Sequence, residues 1–394
     1  MTTDTELPLP RFFVILGFAV FNLVMLATLL ELASWMIWSA HHRGPYPFEE
    51  QAASPVYAGD PRAPEYWREE SLRFRLHRPY VPYRVWGVTE WHGRYMNADA
   101  GEMGILRRTV NPSDDECQHK IRSIIWVFGG STVYGQFVPD GATLPSYLSR
   151  ILNTAGGGGC VIVHNLGVEG YVTNQELILL MEQLKKRRRP DVVIFYDGVN
   201  DASAALEAAD PASAHGTLAV IKGRMEGSLS ARLDVLRESY TGRLTGELLK
   251  HFRQARGSPS FAADSDVRAA AVLDNYEANM QLARALSKTY DFKLLRFWQP
   301  TLLYGHKPLV PFEQQIVRRD ESTDSPYASW FQITSAVYQA AESRAGKGRE
   351  FVFLGGVFDS TKEAVYIDEA HLGPLGNELA AQAVAKYITD HPVR

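Results

Sequence analysis

The sequence predicts an α/β fold, a three-layer sandwich built on a parallel sheet and preceded by one transmembrane helix. Three observations carry this. Short runs of consecutive large apolar residues recur along the chain, and such runs read as strands buried on both faces. Helical patterns lie between them, the alternation that a parallel sheet requires. Near the N-terminus, nineteen residues from Phe12 to Leu30 carry no charge.

That uncharged run, FFVILGFAVFNLVMLATLL, rises about 1.5 Å per residue as a helix and nearly matches a hydrocarbon core of about 30 Å. Apolar character resumes after Glu31, from Leu32 to Ala40. Trp35 and Trp38 fall where an interfacial aromatic belt would lie, which puts Glu31 near the membrane edge. Residues 1–11 then form an N-terminal tail and 12–40 a membrane-spanning helix. A buried core helix and a cleaved secretory signal are the alternatives. Asp4 and Glu6 precede the run and no small-x-small site succeeds it, which argues against the signal. Arg11 with the amino terminus nearly balances Arg43, so the positive-inside rule gives little orientation. A signal-anchor that starts so early favours export of the large domain.

The chain has 394 residues, 45% of them hydrophobic and 22% charged, enough apolar material for one large domain or two small ones. Its net charge of −4 implies neither a nucleic-acid partner nor a generally anionic surface. Residues 41–119 are rich in Pro, Arg and aromatics, as in His77-Arg78-Pro79-Tyr80-Val81-Pro82. Prolines at this density exclude a long helix, and the segment reads as a tether followed by irregular structure packed on the main domain at 120–394.

The first buried strand, Ile124 to Phe128, stops at Gly129 and Gly130 and delivers Ser131. A helix is expected over Thr143–Leu152. Gly156 to Gly159 then form a flexible turn; they precede a strand rather than join a strand to a helix, so they do not make a phosphate-binding loop. The second strand is Cys160–His164. With Cys117 just ahead of the first strand, the two thiols fall near one end of the sheet; a disulfide suited to an oxidising compartment and two unrelated buried thiols both fit. A helix over Asn174–Leu184 ends in Lys185-Lys186-Arg187-Arg188-Arg189, cations that complement the negative end of its dipole as a solvated helix end, with binding of an anionic polymer or lipid headgroup as the functional alternative. The third strand, Asp191–Tyr196, leads into Asp197-Gly198-Val199-Asn200-Asp201. Residues 202–265, rich in Ala, Ser and Arg, read as an insertion or lid over the carboxyl edge of the sheet. A helix over Val267–Thr289 precedes the fourth strand, Phe292–Trp298, after which Gln299 and Pro300 either line a cleft or form a simple turn. The fifth strand, Phe351–Leu354, leads to a C-terminal helix over Gly376–Ile388. No internal repeat is evident.

Ser131 acquires partners from the other strand ends, because all parallel strands end on one edge and ligands bind there. A serine hydroxyl needs a base to remove its proton, and imidazole titrates near neutrality. His371, in Asp368-Glu369-Ala370-His371, is that base. Asp368 stands three residues earlier, and on a helical turn the two would share a face, so its carboxylate can fix the tautomer of the ring. The Ser131 N–H, the Gly170 N–H and the Asn200 side-chain amide are candidate donors to a developing oxyanion. Singly, each has a structural explanation: a βα turn at Gly170, a helix cap at Asn200 and Asp201, a surface histidine at 371. Their occurrence in order, each after a predicted strand, favours the site.

At these residues the chain resembles the SGNH or GDSL-like hydrolases. Phe128-Gly129-Gly130-Ser131-Thr132 is similar to the family's serine block, Gly170 to its glycine block, Gly198-Val199-Asn200-Asp201 to its asparagine block, and Asp368-Glu369-Ala370-His371 to its acid-histidine block. The resemblance covers about 120–390 and departs at Gly130, where many members have Asp. It implies a flavodoxin-like sandwich and esterase, lipase or carbohydrate O-acyl transfer chemistry with no metal and no cofactor. Membrane-anchored bacterial members with a Gly-Gly-Ser-Thr block are often associated with surface polysaccharides, which by analogy makes polysaccharide assembly proteins candidate partners. The expectation is a serine esterase held in the bacterial cell membrane by residues 12–40, its catalytic domain periplasmic or extracellular, removing O-acyl groups, above all O-acetyl, from a carbohydrate or lipid. An O-acetyltransferase using the same residues and a non-catalytic carbohydrate-binding module are the competing readings.

Overall fold

Alternate residues of the central strands sort onto two apolar faces, and the architecture results from covering both. The computed structural model describes residues 9–41, 52–74, 76, 78–154, 159–186, 188–207, 215–216, 218–225, 239–254, 264–322, 327–345 and 351–391. The expected N-terminal tail and the Gly156–Gly159 turn lie wholly or mostly outside these residues.

Helix α1 spans Leu9–His41, slightly longer than the apolar run that forms it, and is long and apolar enough to cross a membrane. Segment 41–119 is more ordered than its prolines suggest. It holds α2 (Ala63–Phe74), a two-stranded ribbon of β1 (Tyr80–Val81) and β2 (Val85–Trp86), and strands β3 (Trp91–His92), β4 (Asn97–Gly101) and β5 (Gly104–Arg107). Pro64 falls in the first turn of α2, where a missing N–H costs no hydrogen bond, and Pro79 and Pro82 lie beyond its end.

The core begins with β6 (Arg122–Gly129), followed by the single turn α3 (Ser131–Tyr134), α4 (Leu144–Thr154), β7 (Cys160–Gly167), α5 (Thr173–Lys185), β8 (Val192–Asp197) and α6 (Val199–Glu207). Two short helices, α7 (Leu218–Met225) and α8 (Tyr240–Gln254), precede α9 (Ser265–Tyr290) and β9 (Lys293–Trp298). Helices α10 (Pro311–Glu321) and α11 (Ala328–Ala345), which no pattern in the sequence announced, lead to β10 (Val352–Phe353) and α12 (Pro374–Asp390).

Sheet order is β10-β9-β8-β6-β7-β5-β4-β3. The five strands from β10 to β7 are parallel, as expected; β5, β4 and β3 extend the sheet antiparallel. Trp126, Phe128, Leu166, Val193 and Phe195 face one way and pack with Leu180, Tyr276, Met280 and Val337 from the helices on that side. Ile125, Val127, Val163, Ile194 and Phe297 face the other way and meet Leu148 of α4 and Val384 of α12. Each fully buried side chain of this size contributes about 1.5–3 kcal/mol. A third cluster joins Tyr57, Tyr66, Trp67 and Met96 to Phe137 and Val138, with Trp67 stacked on Phe137 at 4.1 Å.

Two compact units are present: 48–219 with 258–394, which holds the sheet, and 1–47 with 220–257. In the second unit α8 packs on α1. Much of the expected insertion at 202–265 lies outside the described residues, and its described helix α8 belongs to the unit of α1 rather than to that of the sheet.

Cys117 and Cys160 are disulfide-bonded with Cα atoms 5.4 Å apart, which settles the pairing the sequence left open. Parallel pairing of Arg122 with Cys160 brings them together. Replacing both by serine is expected to lower stability by about 2–4 kcal/mol, read as a shift in denaturant midpoint. In the unaltered protein neither sulfur should react with maleimide until a reductant is added.

Candidate active site

Three strand ends lie level. Gly129, the last residue of β6, pairs with Gly167 on β7 and with Tyr196 on β8. Beyond Gly129 the chain turns at Gly130 and begins α3 at Ser131. The fit here is close: a Cβ on Gly130 would lie 2.1 Å from the Asn200 amide nitrogen, so a side chain at 130 would require Asn200 to move. As the first residue of a helical turn, Ser131 has an N–H with no earlier partner in that helix.

His371 meets Ser131 across 240 residues. Its Nε2 lies 2.8 Å from Ser131 Oγ, and its Nδ1 lies 2.7 Å from Asp368 Oδ2. A carboxylate can only accept, so Nδ1 carries the proton and Nε2 is left to accept from the serine hydroxyl. The expected helical turn joining Asp368 to His371 is absent. Asp368 Oδ1 instead accepts the N–H groups of Ala370 (2.9 Å) and His371 (2.7 Å), closing an Asx-type turn that Ile367 N–H to His371 C=O (2.8 Å) completes. A single carboxyl group thus shapes the loop with one oxygen and orients the ring with the other. The edge of the Phe137 ring packs on His371 at 5.3 Å.

This pairing sets the electrostatics. Burial opposes a charge on His371, but the Asp368 carboxylate outweighs it and raises the imidazole pKa. Burial likewise opposes ionisation of Asp368, yet the imidazole and the two N–H groups hold its pKa at about 2. At neutral pH, Asp368 is charged.

Asn200 lies in the first turn of α6; its Nδ2 donates to Tyr171 C=O at 2.8 Å and keeps a second hydrogen free of that bond. The neighbouring Asp201, for which a helix cap was the structural alternative, accepts the Thr173 hydroxyl (2.6 Å) and N–H (3.2 Å) at the start of α5. Burial pushes Asp201 up to about 6 despite these bonds. Gly170 sits in the turn between these anchors at φ +75°, a conformation that favours glycine. Arg73 of α2 makes a buried ion pair with both Glu70 and Glu169, and Trp86 Nε1–H donates to Glu169 C=O at 2.9 Å. Segment 52–107 therefore braces the Gly170 turn from outside.

Ser131, Asn200, Asp368 and His371 line one cavity of about 200 Å³, which Gly170 does not line. Of Gln299 and Pro300, for which a cleft wall and a simple turn were both open, Gln299 lines it and accepts from Thr132 Oγ1 at 2.9 Å. Glu369 of the acid-histidine block also lines it, as do Trp330 of α11 and Ser203, which no motif in the sequence marks. A larger cavity of about 620 Å³, lined by Arg108, Trp126, His164 and Arg188, lies elsewhere and lacks the hydroxyl-imidazole pair. Among the described residues no group of three or more His, Cys, Asp or Glu is arranged to hold a metal ion.

No family model and no curated protein matches the chain. Among solved structures it is similar to an acetylxylan esterase from Geobacillus stearothermophilus (14% identity over 68% of this chain and 96% of that one, TM-score 0.34). It is also similar to a carbohydrate acetylesterase family member from Sinorhizobium meliloti (12%, 68% and 98%, TM-score 0.36). A member of the lipolytic protein G-D-S-L family from Veillonella parvula matches at 12% identity over 68% of this chain and 98% of that one, TM-score 0.34.

The opposed effects on the imidazole make a prediction that needs no substrate. An NMR titration of His371 is expected to show a midpoint above 6.5. Asp368→Asn removes the largest opposing influence and leaves burial against the weaker pull of Glu169 and Glu369, so the midpoint should fall from its value in the unaltered protein. Equal midpoints in the two proteins would contradict the assigned pairing.

Proposed function

We propose that this chain is a serine esterase of the SGNH type, anchored in a membrane by residues 12–40, that removes short O-acyl groups from a carbohydrate or lipid outside the cytoplasm. The observation that carries the reading is the hydroxyl-imidazole-carboxylate relay, with its two contacts of 2.8 and 2.7 Å. A histidine held this way has little use in a binding module, which needs no base. The 200 Å³ cavity suits a short acyl group such as acetyl, and the Cys117–Cys160 bond suits an oxidising compartment.

In the proposed mechanism Ser131 Oγ attacks the ester carbonyl carbon while His371 Nε2 takes the hydroxyl proton. Asp368 keeps the ring oriented and stabilises the imidazolium that forms. The carbonyl oxygen becomes an oxyanion, met by the Ser131 N–H and the Asn200 amide, both of which line the cavity; the Gly170 N–H, the third donor the sequence offers, lies outside that lining. As the C–O bond breaks, His371 returns its proton to the departing alkoxide, leaving an acyl-serine and a free hydroxyl. Water, deprotonated by His371, then attacks the acyl-serine to release the carboxylic acid and restore Ser131. A sugar hydroxyl in place of that water would make the product a transferred acyl group.

Hydrolysis of p-nitrophenyl acetate by the full chain in detergent tests the reading. Ser131→Ala is expected to lower kcat about a millionfold, and Asn200→Ala about 10²–10³-fold through loss of an oxyanion donor. Because the base must be neutral, kcat/KM should rise with pH through an apparent pKa above 6.5. Acyl release that survives Ser131→Ala unchanged overturns the proposal. Adding a soluble sugar acceptor separates hydrolysis from transfer by its acylated product.

A further inference from the structure

Between Arg11 and the end of α1 at His41 the one Asp, Glu, Lys or Arg is Glu31. At about 1.5 Å per residue the 33-residue helix is about 50 Å long, roughly 20 Å more than a hydrocarbon core. With Phe12 to Leu30 filling that core, Glu31 stands at its boundary and the turns after it pass through the headgroup layer. At this boundary the Glu31 carboxylate is fully engaged. It accepts the N–H groups of Tyr240 (2.6 Å) and Thr241 (3.1 Å) and the Thr241 hydroxyl (2.9 Å), all from the first turn of α8. These two amides have no partners within their own helix, and a carboxylate at a helix start is favoured by the dipole. Thr241 Oγ1 also lies 3.1 Å from Ser34 Oγ, and the Arg243 guanidinium lies over the rings of Trp38 (6.0 Å) and Tyr240 (5.3 Å). Residues 31, 34 and 38, one face of α1 by helical spacing, are thus partly or fully covered, while Leu32, Trp35, Met36 and Ile37 are exposed.

We infer that Glu31, Ser34 and Trp38 of α1 with the first turn of α8 form an interfacial element seated in the phospholipid headgroup layer, where Arg243 meets lipid phosphates. The inference rests on α1 being the membrane span. Continuity fixes the occupant: the bilayer that takes up Phe12–Leu30 necessarily surrounds the turns that come immediately after. An exposed arginine flanked by a Trp and a Tyr has the composition of a membrane-water boundary, where aromatic rings settle at headgroup level and a guanidinium reaches the phosphates. Glu31, costly inside hydrocarbon, becomes the pin that fixes α8 at this depth.

The full chain in vesicles of phosphatidylcholine and phosphatidylglycerol tests this with one fluorophore on an introduced cysteine, since Cys117 and Cys160 are bonded to each other. The labelled positions are Thr245→Cys on α8, Val24→Cys on the apolar run and Leu282→Cys on α9, all exposed. Headgroup nitroxide lipids should quench the Thr245 label and shield it from aqueous iodide; deep acyl-chain nitroxides should quench the Val24 label; iodide alone should quench the Leu282 label. Glu31→Leu, which keeps α1 apolar, should abolish most of the headgroup quenching at 245 and leave that at 24 intact. A Thr245 label as open to iodide as the Leu282 label, with position 24 still lipid-quenched, overturns the inference and spares the span. Absence of lipid quenching at 24 overturns the span itself, and the inference with it.

Discussion

Everything at the candidate site depends on the register of three parallel strands. Gly129, Gly167 and Tyr196 lie side by side, so the chain leaves β6, β7 and β8 at the same height, and the segments beyond them bring Ser131, Gly170 and Asn200 to one edge. A one-residue slip in any pair would turn its side chains to the opposite face of the sheet. Apolar side chains on both faces specify the register: Phe128 and Phe195 stack at 5.2 Å on one side, while Val127 and Ile194 are buried on the other. The positions of polar groups at the edge are therefore secured by hydrocarbon packed well away from them.

Above that edge, short polar clamps replace hydrophobic packing. Asn200 holds Tyr171 C=O and Asp201 holds Thr173, so two consecutive residues of one block fasten the turn of another. Arg73 grips Glu169 from the far side. Buried ion pairs of this kind contribute little net stability, since desolvation offsets the attraction, but removing one partner strands a charge. Such contacts have one satisfactory geometry, whereas apolar surfaces tolerate sliding. They suit a turn whose backbone must be held at a fixed place.

The fold and the candidate site were legible in the sequence to different degrees. Strands β6, β7, β8 and β9 are nearly continuous apolar runs, and a strand buried on both faces leaves that signature. Ser131, Asn200 and His371 could be read because each comes after a feature local in sequence. Asp368 could be read as the partner of His371, but for a reason that does not apply: the pair sits in an Asx-type turn and not on a helix. Strand β4, Asn-Ala-Asp-Ala-Gly, has no large or β-branched apolar residue, and it is a strand because Arg107 and its neighbours pair with it. Arg73, Gln299 and Trp330 acquire roles only through contacts made across roughly a hundred residues or more, or through a helix whose start has no sequence signal, and no local pattern encodes those.

Beneath the site lies a group of acids that the sequence does not mark. Glu176 and Asp197 are buried with Asp201; burial raises all three, and repulsion from the neighbouring acids raises Glu176 and Asp197 further. Among the described residues no ion pair is formed by Glu176 or Asp197, and burial favours their protonated forms. The sign of the resulting pH dependence is opposite to that of Asp368. An acid raised in the folded state favours folding fully below its unfolded pKa and loses that contribution as pH rises through its folded one, for Asp201 about 6. Asp368, held at about 2, favours folding above the ordinary carboxyl range and loses its contribution only in strong acid. The orientation of His371 therefore rests on a carboxylate that stays charged, whereas Asp201, which accepts both Thr173 bonds, passes from neutral to charged as pH rises through about 6.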